Sequence, residues 1–162
     1  NVLCALHLFT QYVGRPSLTS GPSMLPTIGV SGEIVIESRL GYPFSEKRLF
    51  RGDLVTACKP MDPQRIVCKR ILGLPGDVVC VDPTGEYAPS TEHIIIPQGH
   101  VWLAGDNAPY SIDSRSYGPV PIALIRGKLV ARVCSLLLYV AGRLVLLFTL
   151  PGMAFQQSNN FQ

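Results

Sequence analysis

Charge is scarce in this chain of 162 residues: Asp, Glu, Lys and Arg make up 15% of it and leave a net charge of +3. The few Lys and Arg are scattered, which argues against nucleic acid as a partner. Metal-binding signatures are missing as well. No C-x-x-C occurs among the five cysteines and none of the three histidines falls at metal-ligand spacing, so neither a zinc site nor another cofactor is expected. Cys4, Cys58, Cys68, Cys80 and Cys134 are read as small buried hydrophobes, four of them in apolar surroundings, in preference to disulfide partners. The redox compartment stays open. A P-loop, an H-E-x-x-H helix and a dinucleotide fingerprint are absent. So are a G-x-S-x-G elbow and an S-x-x-K, which counts against Ser-His-Asp hydrolases and penicillin-binding sites.

Turn residues and short apolar runs fill the space these absences leave. The length fits one domain with short appendages, large enough to bury a core. Fourteen prolines and fifteen glycines punctuate runs of Val, Ile and Leu, which predicts a mostly β class without a long soluble helix. Strands are expected at 33–38 (EIVIES), 53–58 (DLVTAC), 65–72 and 126–133, with residues 40–50 as a loop. The second and third of these form a hairpin across the turn KPMDPQ, and LPGD turns the chain into VVCVD. HIIIPQGHVWLAGDN supplies strand residues on both sides of its Pro-Gln-Gly break.

Both ends are apolar. The first segment, NVLCALHLFTQYV, would span about 20 Å as a helix, short of the roughly 20 residues that cross a bilayer. Since the chain opens on Asn1 rather than Met, this segment is expected to be the second half of a membrane helix, with a surface or core helix as the alternative. No matrix-targeting peptide can be read from it. Residues 133–150 (VCSLLLYVAGRLVLLFTL) carry only Arg143 as a charge. An arginine at a helix centre costs about 2.5–3.5 kcal/mol, against about 0.3–0.6 returned by each Leu, Val or Phe, so a second membrane segment is marginal. An amphipathic tail is the alternative, and QQSNNFQ is expected to be disordered. The expected organisation is a truncated anchor at 1–16, a body at 17–133 and an apolar tail at 134–162.

Within the body, Lys69 in RIVCKRILGLPGD lies on an alternating stretch, flanked on its own face by Val67 and Ile71, while Arg70 points to the other face. Burial disfavours the ammonium and makes such a lysine a candidate base. Lowering its pKa by about three units corresponds to about 4 kcal/mol, which demands real burial. A snorkelling or salt-bridged lysine is the bland alternative. The hydroxyl to pair with it is sought in SGPSMLPTI, where Pro22 and Pro26 hold Ser23 in a rigid, irregular backbone. Such a site suits a nucleophile, whose Oγ must keep near-attack geometry. Taken alone, a serine in a Gly-Pro turn is structural far more often than catalytic. The third piece, GDNAPYSIDSRSYGPVPIALIRG, is a polar, turn-rich loop in which Asp106, Asp113 and Arg115 could form a charge network and Ser111 could hydrogen-bond a neutral lysine.

In this order, SGPSMLPT (20–27), KRILGLPGD (69–77) and GDNAPYSIDSRSYGPVP (105–121) closely resemble the type I signal peptidase family of serine endopeptidases. The body, GHVWLAGDN and GPVPIALIRGK look most like its mitochondrial inner-membrane members. The resemblance implies an all-β protease core with Ser23 as nucleophile and Lys69 as general base. It implies Ser111 as the residue orienting the lysine amine, Asp113 and Arg115 as a bracing pair, and Asp106 in support. Some members carry a hydroxyl two residues before the nucleophile; Gly21 stands there in this chain, so the oxyanion hole is inferred from backbone donors, Ser23's own N–H among them. The implied substrates are precursor proteins with signal or sorting peptides. The implied partners are membrane lipid and a homologous second protease subunit, and the implied place is the mitochondrial inner membrane with the catalytic domain facing the intermembrane space. The tail at 134–162 departs from the family pattern, since small mitochondrial members usually stop earlier. A bacterial-type signal peptidase I is the nearest alternative, and a catalytically inactive membrane-tethered binding module is the alternative of a different class. A self-cleaving repressor would need a DNA-recognition helix, and none is evident.

Overall fold

The structure, a computed structural model, describes residues 1–41, 46–85 and 88–133, and beyond them the backbone of three two-residue strands. The chain starts as a short helix, α1 (Val2–Leu8), continued by a π-helical turn (Phe9–Val13). Val2, Leu3, Leu8 and Phe9 are exposed. Among the described residues no helix is long and apolar enough to cross a membrane. Most of the 134–162 tail lies outside the described residues, including Cys134 and QQSNNFQ.

At Gly14 the backbone becomes extended as β1 (Gly14–Ser20), a strand absent from the sequence expectations. Its residues alternate weakly and include Pro16, whose missing N–H disqualifies it from a central strand. An edge position tolerates both. Among the described strands β1 pairs only with β2 (Ser31–Ser38), in the register Leu18 to Ile34 and Pro16 to Ile36.

The remaining strands follow the expected order, except that residues 120–121 add a short strand the sequence did not suggest. They are β3 (Leu54–Lys59), β4 (Asp62–Gly73), β5 (Val78–Cys80), β6 (His93–Ile95), β7 (His100–Ala104), β8 (Val120–Pro121) and β9 (Ile125–Val133). Beyond them come β10 (Tyr139–Val140), β11 (Arg143–Leu144) and β12 (Phe148–Thr149). The main antiparallel sheet runs β1-β2-β9-β3-β4-β7-β8, with β12 on β9. β5 and β6 pair separately, so the Pro-Gln-Gly break divides two sheets. The turn of the β3/β4 hairpin is tighter than KPMDPQ suggests, because Lys59 and Asp62 already pair and leave Pro60 and Met61 at its tip. Pro63 is accommodated because β4 meets β7 only from Arg70 onwards, so its first half has one ladder to serve.

Alternation along these strands divides the core in two. Val55, Ala57, Ile71, Leu103 and Ile125 pack in one cluster. Leu54, Val35, Leu129, Met24 and Ile28 form the other, with Cys68 against it. Each such fully buried aliphatic side chain contributes about 1.5–3 kcal/mol. The cysteines depart from their expectation: Cys4 is exposed and Cys58, Cys68 and Cys80 are half-buried, all four as free thiols.

Candidate active site

Lys69 pairs across the hairpin with Val55, which places it on the face of the larger core cluster beside Ile71. It is 3% exposed. Burial is the main reason its pKa is held below the usual 10.5, with Arg115 acting in the same direction and the Asp113 carboxylate opposing. A lysine in this position reaches its neutral form at a lower pH than one in water. Its neighbour Cys68 is no rival nucleophile, since burial pushes that thiol up to about 12 and keeps it protonated.

Ser23 sits in the middle of a single 3₁₀ turn (Pro22–Met24), with Pro22 at its first position. The preceding Gly21 has φ +110°, a conformation that L side chains rarely adopt. A serine or threonine at position 21 would be strained here, which gives a physical reason for the missing side-chain hydroxyl. Met24 and Ile28 anchor the segment in the second core cluster.

The serine turn meets the end of β7 at Gly105. β4 and β7 pair Ile71 with Leu103 and Arg70 with Ala104, and Gly105 follows directly on this last pair. A Cβ on Gly105 would lie 2.5 Å from the Ser23 carbonyl oxygen and closer still to the Ser111 hydroxyl. Only glycine lets the serine turn and the Ser111 side chain approach the backbone here. Asn107 fastens the turn, its N–H donating to the Ser23 carbonyl at 3.0 Å and its side-chain amide to the Pro22 carbonyl at 3.0 Å.

Behind Gly105 lies Asp113, fully buried. Its Oδ2 accepts from the Gly105 N–H at 2.9 Å, the Ser111 hydroxyl at 2.6 Å and Arg115 Nη2 at 2.8 Å. Oδ1 accepts from Arg115 Nε at 2.9 Å and from its backbone N–H, which caps α2 (Ser114–Tyr117). Burial pushes this carboxyl up, but the Arg115 guanidinium, the Gly105 N–H and the Ser111 hydroxyl outweigh it and keep the pKa low. With its hydrogen given to Asp113, the Ser111 oxygen keeps its lone pairs as acceptors.

Of the expected residues, the structure gathers Ser23, Ser111, Asp113 and Arg115 around one glycine, and the charges of Asp113 and Arg115 reach Lys69. Asp106 turns elsewhere. Instead of joining Asp113 and Arg115, it takes both Arg70 Nε at 2.8 Å and Arg70 Nη2 at 2.7 Å. Arg70 also reaches the Gly52 carbonyl and the Thr27 hydroxyl, in keeping with its expected direction away from Lys69. Gly105, Asn107, Thr27 and the Arg70 pairing were not singled out by sequence reasoning. A glycine between an apolar strand and a polar turn is a weak hint of close backbone approach; the others give no signal without the fold.

The chain combines an antiparallel β body, a serine turn and a buried lysine, and the family model for signal peptidase, peptidase S26, matches residues 1–86 and 83–134. The chain belongs to that family, and it is a serine endopeptidase of the signal peptidase type. Mitochondrial inner membrane protease subunit 1 of Schizosaccharomyces pombe is 48% identical over 128 residues, covering 79% of this chain and 78% of that protein. The human protein of the same name is 43% identical over 133 residues, 82% of this chain and 77% of its own length. Mitochondrial inner membrane protease subunit 2 of Danio rerio is 32% identical over 121 residues, 72% and 61% respectively. Among solved structures, a signal peptidase I from Enterococcus faecalis matches with a TM-score of 0.39 at 24% identity, over 51% of this chain and 97% of that one.

Proposed function

We propose that the chain removes signal or sorting peptides from precursor proteins at the mitochondrial inner membrane, on the intermembrane-space side, with Ser23 as nucleophile and Lys69 as general base. The burial of Lys69 within electrostatic reach of Asp113, the carboxylate that holds Ser111 beside the Ser23 turn, carries this reading. Ser23 Oγ attacks the scissile carbonyl while neutral Lys69 Nζ takes its proton. The tetrahedral intermediate expels the amine, which Lys69 protonates, and leaves an acyl ester on Ser23. Water, deprotonated by Lys69, then releases the new carboxyl end and restores the serine. Pro22 has no N–H, so the developing oxyanion is met by the N–H of Ser23 and its neighbours. Ser111 orients the amine, Asp113 and Arg115 hold Ser111, and the Arg70–Asp106 pair steadies the far end of the turn.

The names of the relatives support the compartment and a second, homologous subunit as partner. Apolar side chains exposed on α1, together with Leu18 and Ile34 on the β1/β2 edge, are compatible with contact with lipid. The test is to incubate the purified protein with a panel of signal-type peptides and sequence the products. Cleavage at a single bond is expected from wild type, and none from Ser23→Ala, which lacks the attacking oxygen. Equal turnover by that variant would remove Ser23 from the mechanism.

A further inference from the structure

Residues 21–30 form a closed loop around the serine turn: the Gly21 N–H donates to the Val30 carbonyl at 2.7 Å, and the Ile28 N–H to the Met24 carbonyl at 2.9 Å. Its far side is Thr27, which two arginines hold from different strands. Arg70 of β4 donates to the Thr27 hydroxyl at 3.3 Å, and Arg132 of β9 donates to the Thr27 carbonyl. Each arginine has its own carboxylate. Arg70 is matched bidentately by Asp106, whereas Arg132 Nη1 lies 3.8 Å from Glu33 Oε2. That Glu33 oxygen is buried without a hydrogen bond. The same carboxylate presses under the loop, since a Cβ on Gly29 would lie 2.9 Å from Glu33 Oε1.

We propose that Arg132 is a positioning residue for the nucleophile, fixing Ser23 through Thr27 with Glu33 as its counter-charge. The inference rests on the reading of Ser23 as the nucleophile. Arg132 lies outside the three motifs that define the site, opposite Val35 in the β2/β9 ladder. Its bond goes to a main-chain carbonyl, so it acts on the path of the backbone rather than on one side chain. A half-exposed ion pair at this separation adds little to global stability, and Met24 and Ile28 keep the loop docked in the core without it. The consequence of losing Arg132 is therefore a looser serine turn on an intact fold. Displacement of a reacting group by about 1 Å costs up to about 100-fold in rate.

The experiment measures cleavage of a signal-type peptide by the full chain carrying Arg132→Met, Arg132→Lys or Glu33→Gln, beside Ser23→Ala and Lys69→Ala. Arg132→Met is expected to lower kcat by about ten- to hundredfold with KM within about twofold. The acid limb of its pH profile should stay where wild type has it, because burial first, then Asp113 and Arg115, and not Arg132, act on Lys69. Arg132→Lys, which can still donate to the Thr27 carbonyl, should recover most of the rate, and Glu33→Gln should fall between. The inference is overturned if Arg132→Met keeps wild-type kcat, or if all three variants lose rate only in proportion to their folded fraction. It is likewise overturned if the pH limb moves. Should Ser23→Ala cleave like wild type, the nucleophile assignment itself falls; should it be inert while Arg132→Met is unimpaired, only the role of Arg132 falls.

Discussion

Lys69→Arg is expected to abolish peptide cleavage, lowering kcat/KM by about 10²- to 10⁴-fold, the range that a positioned general base contributes. Arginine preserves length and charge but stays protonated at any accessible pH, so it cannot take the Ser23 proton. Lys69→Met separates chemistry from packing, because it fills the same apolar site beside Val55 and Ile71 without a base. It should be equally inactive and at least as stable as wild type, since the buried amine disappears and the Ser111 hydroxyl keeps its bond to Asp113. The pH dependence follows from the lowered pKa of Lys69. Wild-type kcat/KM should rise with pH as Lys69 loses its proton and level off below pH 10.5, where a solvent-exposed lysine would only half titrate. Stability moves in the same direction. The unfolded chain binds more protons at Lys69 than the folded one between the two pKa values, so this residue's contribution is complete above the unfolded value and is lost as pH falls through the folded one. Thermal melts of wild type and Lys69→Met across that window measure it. Turnover by Lys69→Arg near the wild-type rate would dismiss the lysine as base.

Gly105→Ala should be nearly as damaging, although it touches no proton. The added methyl would sit 2.5 Å from the Ser23 carbonyl and nearer still to the Ser111 hydroxyl. Neither neighbour yields easily: the carbonyl is held by the Asn107 N–H, and Ser111 by Asp113. The Gly105 backbone is itself tied to Asp113 through its N–H. Overpacking of this kind costs about 1–3 kcal/mol, and the shift it forces on the serine turn should lower kcat by about 100-fold. A kcat equal to wild type in a folded Gly105→Ala protein would mean that the close approach is not needed for turnover. Circular dichroism and a thermal melt on the same preparation establish folding.

Strand positions were legible wherever a strand has one face in the core, because alternation is a local property of the chain. Residues 33–38, 65–72 and 126–133 fall within observed strands, as do 53–58 apart from Asp53, and Lys69 lies on the face its spacing implied. β1 escaped because an edge strand needs no clean alternation and tolerates Pro16. The charge pairing was half legible. Asp113 and Arg115 are two residues apart and find each other across a capped helical turn, whereas Asp106 pairs with Arg70 from a different strand.

Taken by itself, the sequence determined the residue types of the proposed chemistry: a serine between prolines, a lysine among aliphatics and a polar turn with Ser111, Asp113 and Arg115. These follow from short-range pattern, since turn geometry, strand alternation and helix capping act over a few residues. Tertiary structure alone decided what stands opposite what. Contacts across the sheet set Gly105 against Ser23 and Ser111, gave Arg70 to Asp106 and brought Arg132 from β9 to Thr27. Apart from Gly105 and Ser111, these partners are far apart along the chain, and only the tertiary fold brings them within reach.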